Sequence, residues 1–383
     1  MTHSRPAPSI YGVAFRVAGT ILAALLASCA AGGVQSTGSP GAGAGVPAAG
    51  RGTISPDGSW PTSTREHVDL WLHGYAMLTA DTARIPFFRR GYRQRMRDLK
   101  AQRNVFTQLD ANGEQLSSRF RVNPGLVNGQ FVPLYFSSFD QIQQVVTLFL
   151  QSGGDRRSVS DPTVQALFGV LGGSFPAGAD RDWLRLFMQS LADENSRFYH
   201  DYWSGEQAAR SATREAVDTL WQRTYRPRIQ RFLNNTQQEN GEFMLSLPLD
   251  GEGRTVTFSK QQNSVSVGFP ERPADALEAV YVFAHEVVNA ITATAITDNT
   301  TPAEQRMGAG SRYAANANVR AGAILLQRVA PESGAGYMRF YLRSAGLPAP
   351  TGDPTTAFAS AFPIPDAIRD AITRQLDLVL GGI

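Results

Sequence analysis

The chain has 383 residues, of which 42% are hydrophobic and 18% are charged. This composition is typical of a globular protein with one large core or two smaller ones, and it excludes a disordered chain, a coiled coil and a polytopic membrane protein. The net charge of +3 gives little electrostatic support to a phosphate-binding surface, and the single cysteine excludes disulfide frameworks and cysteine-cluster metal sites.

The N-terminal segment has the layout of an export signal. Arg5 and Arg16 lie ahead of a short apolar run from Val17 to Ala27, and small residues follow it. The run is too short to span a bilayer, which takes roughly 20 apolar residues, but it suits the hydrophobic stretch of a signal peptide. We therefore expect residues 1–28 to be removed from an exported protein.

The apolar run ends in Leu26-Ala27-Ser28-Cys29, which resembles the lipobox of bacterial lipoproteins. The resemblance implies that the thiol of Cys29 is diacylated and that several acyl chains anchor the protein to the membrane of the cell envelope. Ala30 rather than an aspartate follows Cys29, which favours sorting to the outer membrane if the cell has two membranes. A plain signal peptide with an incidental cysteine is the alternative.

Residues 29–60 are rich in Gly, Ala, Pro and Ser, and they predict a flexible tether. Residues 61–240 have the apolar spacing of a mainly helical region, with the last helical stretch broken near Gly205 and Pro227. Within this region the segment 87–97 is both basic and aromatic. A solvated helix face with aromatic side chains toward the core explains that pattern, so we expect no nucleic-acid partner.

Residues 241–383 predict an α+β region. Three short alternating segments, 243–247, 254–258 and 264–269, predict a small antiparallel meander. A helix is then predicted from Ala274 to Ala295, and a second long helix from Pro302 to Val329 starts with a capping box of Thr301 and Glu304. The expected fold class is α+β and mainly helical, with the meander packed against the first of these helices and the second long helix.

The first of these helices carries His285-Glu286-Val287-Val288-Asn289. This resembles the zincin signature His-Glu-x-x-His, with asparagine in place of the second histidine. Residues four apart share one face of a helix, so two imidazoles at this spacing can bind one Zn²⁺ while the glutamate lies near the metal-bound water. The order of meander, motif helix and second helix resembles the catalytic domain of gluzincin-type metallopeptidases over about residues 240–330.

The resemblance implies a zinc site with His285 as the first ligand and Glu286 as the general base. Asn289 occupies the second-ligand position, although its neutral amide oxygen is a weak ligand for Zn²⁺. The resemblance also implies a glutamate ligand from the second helix, where Glu304 is the only carboxylate. The capping box explains Glu304 equally well. The strand Ser264–Phe269, with Val265 and Val267, would align a peptide by β-addition.

Other residues offer few further ligands. His73 or His200 could complete the metal site by folding over it, but a packed or hydrogen-bonded histidine explains each of them as well. Asn316 in the second helix would be no better a ligand than Asn289. The sequence contains no Gly-x-Ser-x-Gly nucleophile elbow, and nothing in it selects a carboxylate pair for glycoside hydrolysis.

Two hypotheses follow for an exported, lipid-anchored protein of the cell envelope. In the first, the chain hydrolyses peptide bonds with zinc-activated water, which His285 and Glu286 support. In the alternative, a catalytically degenerate zincin-like scaffold binds a peptide, protein or glycan. An incidental His-Glu pair is less consistent with the apolar residues around it, because ionisable groups are costly to bury without a partner.

Overall fold

The computed structural model describes residues 60–79 and 83–381. Cys29, the predicted signal peptide and the tether up to residue 59 lie outside the described residues. The first helices are α1 Glu66–Leu78, α2 Tyr92–Gln102, α3 Gln108–Ala111, α4 Gly113–Val122, α5 Phe139–Gln151, α6 Pro162–Ser174, α7 Gly178–Glu194, α8 His200–Ala209, α9 Ser211–Leu220 and α10 Arg226–Asn235. Short π-helical segments, Asn195–Tyr199 and Trp221–Tyr225, join α7 to α8 and α9 to α10.

The later helices are α11 Ala276–Val287, α12 Asn289–Asp298, α13 Pro302–Arg306, α14 Ala309–Val329, α15 Gly334–Ser344, α16 Thr355–Ala361 and α17 Asp366–Gly381. The α+β, mainly helical fold class is therefore confirmed. Helix α8 runs through Gly205 and ends at Ala209, so the predicted break near Gly205 is wrong. A single glycine in a helix interior costs only about 1 kcal/mol relative to alanine, which is not enough to end the helix.

The four strands of the described chain form one mixed sheet. They are β1 Thr62–Ser63, β2 Glu242–Ser246, β3 Arg254–Ser259 and β4 Gln262–Gly268, in the spatial order β1-β2-β4-β3. Strand β2 pairs in parallel with β1 and with β4, and only β3 and β4 form an antiparallel hairpin. The prediction of an antiparallel meander is therefore wrong for β2.

The segment that follows β2 explains this parallel pairing. Its backbone does not turn straight back but pairs with residues 86–89, through Arg89 N to Pro248 O at 2.9 Å and Asp250 N to Phe87 O at 3.0 Å. Leu249 in this segment is fully buried and forms an antiparallel bridge with Phe88. The chain is thereby carried past β4 before it enters β3, and β4 returns between β2 and β3.

The sheet lies in the core between the early and late helices. On one face Phe243 of β2 packs against Phe283 of α11, with ring centroids 4.9 Å apart. On the other face Ser246 of β2 donates a hydrogen bond to Asp69 of α1 at 2.6 Å. The division at residue 240 therefore marks a change of composition within one continuous core.

Trp60 belongs to the folded part rather than to the tether. Its side chain is fully buried and meets Phe283 edge to face at 5.2 Å. Its backbone oxygen accepts a hydrogen bond from the indole of Trp221 at 2.9 Å. The boundary predicted after residue 60 is therefore wrong by at least one residue, because a large aromatic side chain at this position completes the core.

The helix predicted from Ala274 to Ala295, which carries the His285-Glu286 motif, is divided at Val288. This residue has φ −87° and ψ −2°, so α11 ends at Val287 and α12 begins at Asn289. The second long helix is also divided, because Gly308 adopts a left-handed conformation with φ +83° between α13 and α14. The segment Pro273–Asp298 is long and apolar enough to span a membrane, but 78% of its most apolar window is buried inside the protein, as in a core helix.

Candidate functional site

His285 and Glu286 lie on the last turn of α11, under the loop between β2 and β3. Both are buried, with 2% and 3% of their surface exposed. Asn289 is the first residue of α12, beyond the break at Val288. The assumption that His285 and Asn289 share one continuous helix face is therefore wrong.

The two motif residues are hydrogen-bonded to each other. His285 Nδ1 lies 2.9 Å from Glu286 Oε1, which also accepts a hydrogen bond from the backbone amide of Gly253 at 3.1 Å. Asn289 Nδ2 donates to Glu286 Oε2 at 3.3 Å. The Glu286 carboxylate thus joins α11, α12 and the loop before β3.

Burial and hydrogen bonding have opposite effects on this carboxyl group. Burial raises the pKa of Glu286, but the hydrogen bond and charge of His285 and the amide of Gly253 together hold it below its ordinary value. A general base needs access to a water molecule or substrate. The carboxylate of Glu286 is instead ionised, enclosed and occupied by intramolecular donors.

Neighbouring elements close over the pair. The ring of Tyr341 from α15 stacks on His285 with centroids 5.4 Å apart, and its hydroxyl donates to Gly251 O at 3.1 Å. A Cβ atom on Gly253 would lie 2.1 Å from the carbonyl oxygen of Ser266 and 3.1 Å from Glu286 Cγ. The loop can therefore approach the sheet and the motif this closely only because residue 253 is glycine.

Two polar atoms of the motif have no hydrogen-bond partner. They are His285 Nε2 and Asn289 Oδ1, and both atoms are buried. Buried polar atoms without partners are uncommon, and each calls for an explanation such as an ordered water or an ion. These are the atoms that the zincin resemblance would assign to zinc.

The described residues do not complete a zinc site around these two atoms. Zinc in proteins takes at least three protein ligands, usually imidazole, thiolate or carboxylate. Among residues 60–79 and 83–381, no group of three or more His, Cys, Asp or Glu is placed to hold a metal ion. His285 and the weak ligand Asn289 are two ligands at most, so the arrangement does not fit a catalytic zinc ion.

Glu304 is held by the capping box of α13. Its Oε2 atom accepts hydrogen bonds from Thr301 N at 2.7 Å and Thr301 Oγ1 at 2.8 Å. The backbone amide of Thr301 holds the pKa of this exposed carboxyl below its usual range. The structure therefore gives Glu304 the capping role and does not bring it to His285. Asn316, farther along on α14, donates instead to Pro363 O at 2.9 Å.

His73 belongs to a separate buried network. Its Nε2 lies 3.0 Å from Glu194 Oε1, and its Nδ1 lies 3.1 Å from the hydroxyl of Tyr92. Lys100 Nζ donates to the same carboxylate at 2.7 Å. Burial lowers the pKa of His73, whereas His73 and Lys100 outweigh the burial of Glu194 and lower its pKa to about 2.

This network assigns the proton on His73. A neutral imidazole beside an ionised carboxylate carries its proton on Nε2, so Nδ1 accepts from the Tyr92 hydroxyl. His200 is exposed, and its Nδ1 lies 2.8 Å from Glu66 Oε1. Neither histidine folds over His285, and hydrogen bonding explains both.

The strand expected to bind a peptide has no free edge. Strand β4, with the buried residues Val265 and Val267, pairs with β2 on one side and with β3 on the other. The prediction that β4 aligns a peptide is therefore wrong, because β-addition needs unpaired backbone groups. In the described sheet the outer positions belong to β1 and β3.

The outer strand β3 contains a β-bulge and carries one residue of an exposed aromatic pair. Its pairing with β4 shifts register between Thr257 and Ser259, which makes Phe258 the bulged residue. Phe258 is 44% exposed and meets the 38%-exposed Tyr135 edge to face at 5.2 Å. Bulges re-aim side chains and are common beside functional sites.

Sequence reasoning missed most of the residues that enclose the motif. Gly251 and Gly253 are recognisable as turn residues, but nothing local shows that their backbones contact Tyr341 and Glu286. Tyr341 lies on a helix in which an aromatic residue is ordinary, and its contact with His285 depends on packing between α15 and α11. In the sequence, Phe258 looks like one residue of an alternating strand. Its exposure at a bulge becomes visible only from the register shift between β3 and β4.

Comparison with known proteins finds no matching family model, no matching curated protein and no matching solved structure.

Proposed function

We propose that this chain is a lipid-anchored envelope protein whose zincin-like region binds a peptide or protein segment without hydrolysing it. The observation that carries the proposal is the closed state of the motif. His285 and Glu286 are at most 3% exposed and are bonded to each other. In this role the degenerate motif joins α11, α12 and the loop before β3, and ligand binding takes place elsewhere on the scaffold.

The outer edge of β3 is the surface that best suits an extended peptide. The edge can donate and accept main-chain hydrogen bonds, and the Phe258–Tyr135 pair offers an apolar contact for one side chain of the ligand. The hairpin 254–262 carries Arg254 and Lys260 and no acidic residue. An extended segment with an aromatic or apolar residue next to acidic residues fits this surface.

Peptide selection tests the binding proposal. A displayed library of linear peptides is selected on the protein, and the enriched sequences are measured against two variants. Phe258→Ala is expected to lower their affinity at least tenfold, about 1.4 kcal/mol. Leu148→Ala is the control, because Leu148 is also 44% exposed and lies on α5. No enrichment, or equal loss in both variants, contradicts the proposal.

Metal analysis tests the closed motif directly. The chain is purified without added zinc, starting upstream of Trp60 but after Cys29. We expect no stoichiometric zinc at micromolar zinc concentrations. Stoichiometric zinc that is lost in His285→Ala would contradict the proposal and support a peptidase.

The second candidate function is zinc-dependent peptide hydrolysis, which the unpartnered His285 Nε2 and Asn289 Oδ1 favour. This candidate requires a rearrangement that unites α11 and α12 and brings in a third ligand. Asn289→His restores the His-Glu-x-x-His signature and tests whether the region descends from an active zincin. Zinc binding gained in this variant supports descent from an active zincin, and its absence makes that descent doubtful.

Lipid anchoring at Cys29 is tested by Cys29→Ser. The wild-type protein is expected in the membrane fraction with incorporated labelled fatty acid, and the variant is expected to lose both properties. A chain with several acyl groups partitions stably into a bilayer, whereas an unmodified chain lacks that anchor. Unchanged membrane association and no acyl label on the wild type would contradict lipid attachment.

A further inference from the structure

The buried network around Glu194 contains a lysine in contact with two carboxylates. Lys100 of α2 is only 3% exposed, and its Nζ atom lies 3.0 and 2.9 Å from the two carboxylate oxygens of Asp110 on α3. The same atom donates to Glu194 Oε2 at 2.7 Å. A buried ion pair carries a large desolvation cost and is weak evidence for a stabilising role. The contact therefore invites a chemical explanation.

Lysine is rare in this chain. Of the 36 residues that are lysine or arginine, 34 are arginine, and the two lysines are Lys100 and Lys260. Arginine suits a buried ion pair better, because its planar guanidinium binds a carboxylate through two hydrogen bonds. A guanidinium group stays protonated, whereas a buried lysine can lose its proton and act as a nucleophile. At position 100 the chain therefore uses the one cationic residue type that can supply a reactive amine.

Glu194 is oriented so that one of its oxygens faces the lysine. Its Oε1 atom accepts from His73 Nε2 at 3.0 Å, and its Oε2 atom contacts Lys100. The hydroxyl of Thr107 contacts Glu194 Oε2 and also lies 2.9 Å from Asp110 Oδ2. These contacts form a continuous path along which protons can pass from the lysine amine to Asp110 Oδ2.

The surroundings of this path exclude water. Glu194 and Thr107 are at most 1% exposed, and the ring centroid of Phe198 lies 5.4 Å from the lysine Nζ. Burial disfavours charged groups, so it favours an amine and a carboxylic acid over the ion pair. Burial raises the pKa of Glu194, whereas His73 and the charge of Lys100 lower it. The part due to Lys100 disappears once the ammonium gives up its proton.

We propose that Lys100 and Asp110 form an intramolecular isopeptide bond, with Glu194 as the proton-transfer residue. Two protons of the lysine ammonium pass in turn along the path to Asp110 Oδ2. The electron pair of Nζ forms a bond to Cγ of Asp110, and the bond between Cγ and Oδ2 breaks. Oδ2 leaves as water, Oδ1 remains as the amide oxygen, and Nζ keeps its third hydrogen. Glu194 ends ionised as it began, and no other reactant is consumed.

Holding an amine against a carboxyl group favours this condensation, because the two groups meet without loss of translational freedom. The bond joins the end of α2 to α3 and closes the loop between them. Closing a loop restricts the unfolded chain, as a disulfide does. A chain with a single cysteine cannot form an internal disulfide, and a side-chain amide provides an equivalent cross-link. This inference does not depend on the function proposed above.

Tryptic digestion of the denatured full-length protein tests for the bond. In an unlinked chain trypsin cuts after Lys100 and after Arg103, so Lys100 and Asp110 fall in separate peptides. A linked chain is expected to give one branched peptide, in which residues 98–103 are joined to residues 104–119. This peptide is uncut at Lys100 and is lighter than the sum of its two parts by one water molecule. Tandem mass spectrometry identifies the joined side chains.

A second measurement counts the free lysine amines of the denatured protein. Acetylation is expected to modify Lys260 and to leave Lys100 unmodified. This result distinguishes the bond from a succinimide at Asp110, which also loses one water molecule but leaves the Lys100 amine free. A succinimide without the branched peptide would overturn the proposal.

Variants test the role of each group. Lys100→Arg keeps the positive charge without a nucleophilic amine and is expected to lose the branched peptide. Glu194→Gln cannot carry the proton, and loss of a proton-transfer group slows such a step by about 100-fold or more, so only traces of the branched peptide are expected. Lys260→Arg is the matched control, because Lys260 is exposed, and it is expected to form the branched peptide as the wild type does.

Two further results would overturn the proposal. In the first, trypsin cuts the wild type after Lys100 and acetylation modifies its amine. In the second, Glu194→Gln contains as much branched peptide as the wild type, which contradicts the proton-transfer role. The first result needs no variant, so the test remains decisive if a substituted protein fails to fold. The peptide selection on β3 does not involve this network, so the two proposals fail separately.

Discussion

Asp69 Oδ1 accepts a hydrogen bond from Ser246 Oγ at 2.6 Å and so joins helix α1 to the end of strand β2. Asp69 is completely buried, and its Oδ2 accepts from Leu247 N at 3.2 Å and Trp203 Nε1 at 3.0 Å. Burial raises the pKa of Asp69 to about 7, although these hydrogen bonds and the charge of Arg89 act in the opposite direction.

This elevated pKa predicts a specific pH dependence of stability. The folded-state pKa of about 7 lies above the ordinary 3.8, so the contribution of Asp69 is complete below pH 3.8 and is lost as pH rises through 7. In Asp69→Asn the amide can face Ser246 Oγ, and the variant has no carboxyl group to ionise. As the pH rises from 4 to 8, the wild type should therefore lose up to roughly 4 kcal/mol of unfolding free energy relative to Asp69→Asn.

Urea unfolding at several pH values measures this shift. Ser246→Ala serves as the control, because it removes one hydrogen bond and leaves the carboxyl group in place. A constant difference between wild type and Asp69→Asn across this range would show that Asp69 has an ordinary pKa.

Glu286→Gln is expected to destabilise the protein by about 1–3 kcal/mol, because a neutral amide cannot satisfy all the donors that converge on the carboxylate. Gly253 N, Asn289 Nδ2 and His285 are those neighbours. Urea unfolding gives the change, with Glu114→Gln as the control for an 86%-exposed glutamate. If Glu286→Gln is as stable as the wild type, Glu286 does not stabilise the fold and the structural role of the motif is contradicted.

Gly253→Ala is expected to destabilise by about 1–3 kcal/mol or more, since the new methyl group collides with the backbone oxygen of Ser266. Gly205→Ala in α8 is the matched control. Nothing lies within 4 Å of its added Cβ, so this change is expected to stabilise the helix by about 0.5–1 kcal/mol. Thermal unfolding should move in opposite directions in the two variants, and a shared direction contradicts the close approach at Gly253.

Trp60→Ala is expected to cost about 3–5 kcal/mol, as for other large aromatic side chains removed from a core. Trp60 contacts Phe283 and Trp221, whereas Phe106 is 65% exposed and supplies the control variant Phe106→Ala. Equilibrium unfolding of chains that start well upstream of Trp60 measures both changes. A Trp60→Ala variant as stable as Phe106→Ala would show that Trp60 contributes nothing to the core and belongs to the tether.

Local patterns predicted the elements of the α+β region well. The alternating segments lie close to β2, β3 and β4, and the Thr301–Glu304 capping box is present at the start of α13. Alternation and capping are properties of a few neighbouring residues, so a sequence displays them directly. Which strands pair and which helices pack together depends on residues far apart in the sequence, so no short sequence pattern predicts it.

The two largest errors have this origin. Parallel pairing of β2 with β4 depends on the backbone of residues 86–89, more than 150 positions away along the chain from the segment after β2. The division of the motif helix at Val288 has no glycine or proline to mark it. The zincin resemblance assumed that His285 and Asn289 share one face of a continuous helix, whereas the break at Val288 places Asn289 at the start of a separate helix.

The position of Trp60 has a mechanical consequence. Trp60 directly precedes β1, which pairs in parallel with β2 in the sheet. A load applied through the preceding residues, as by a membrane anchor at Cys29, would therefore reach Phe283 and the sheet without first unravelling a loose end. Such a pull, once it reached Trp60, would strain the aromatic cluster that Trp60 forms with Phe283 and Trp221 beside the motif helix.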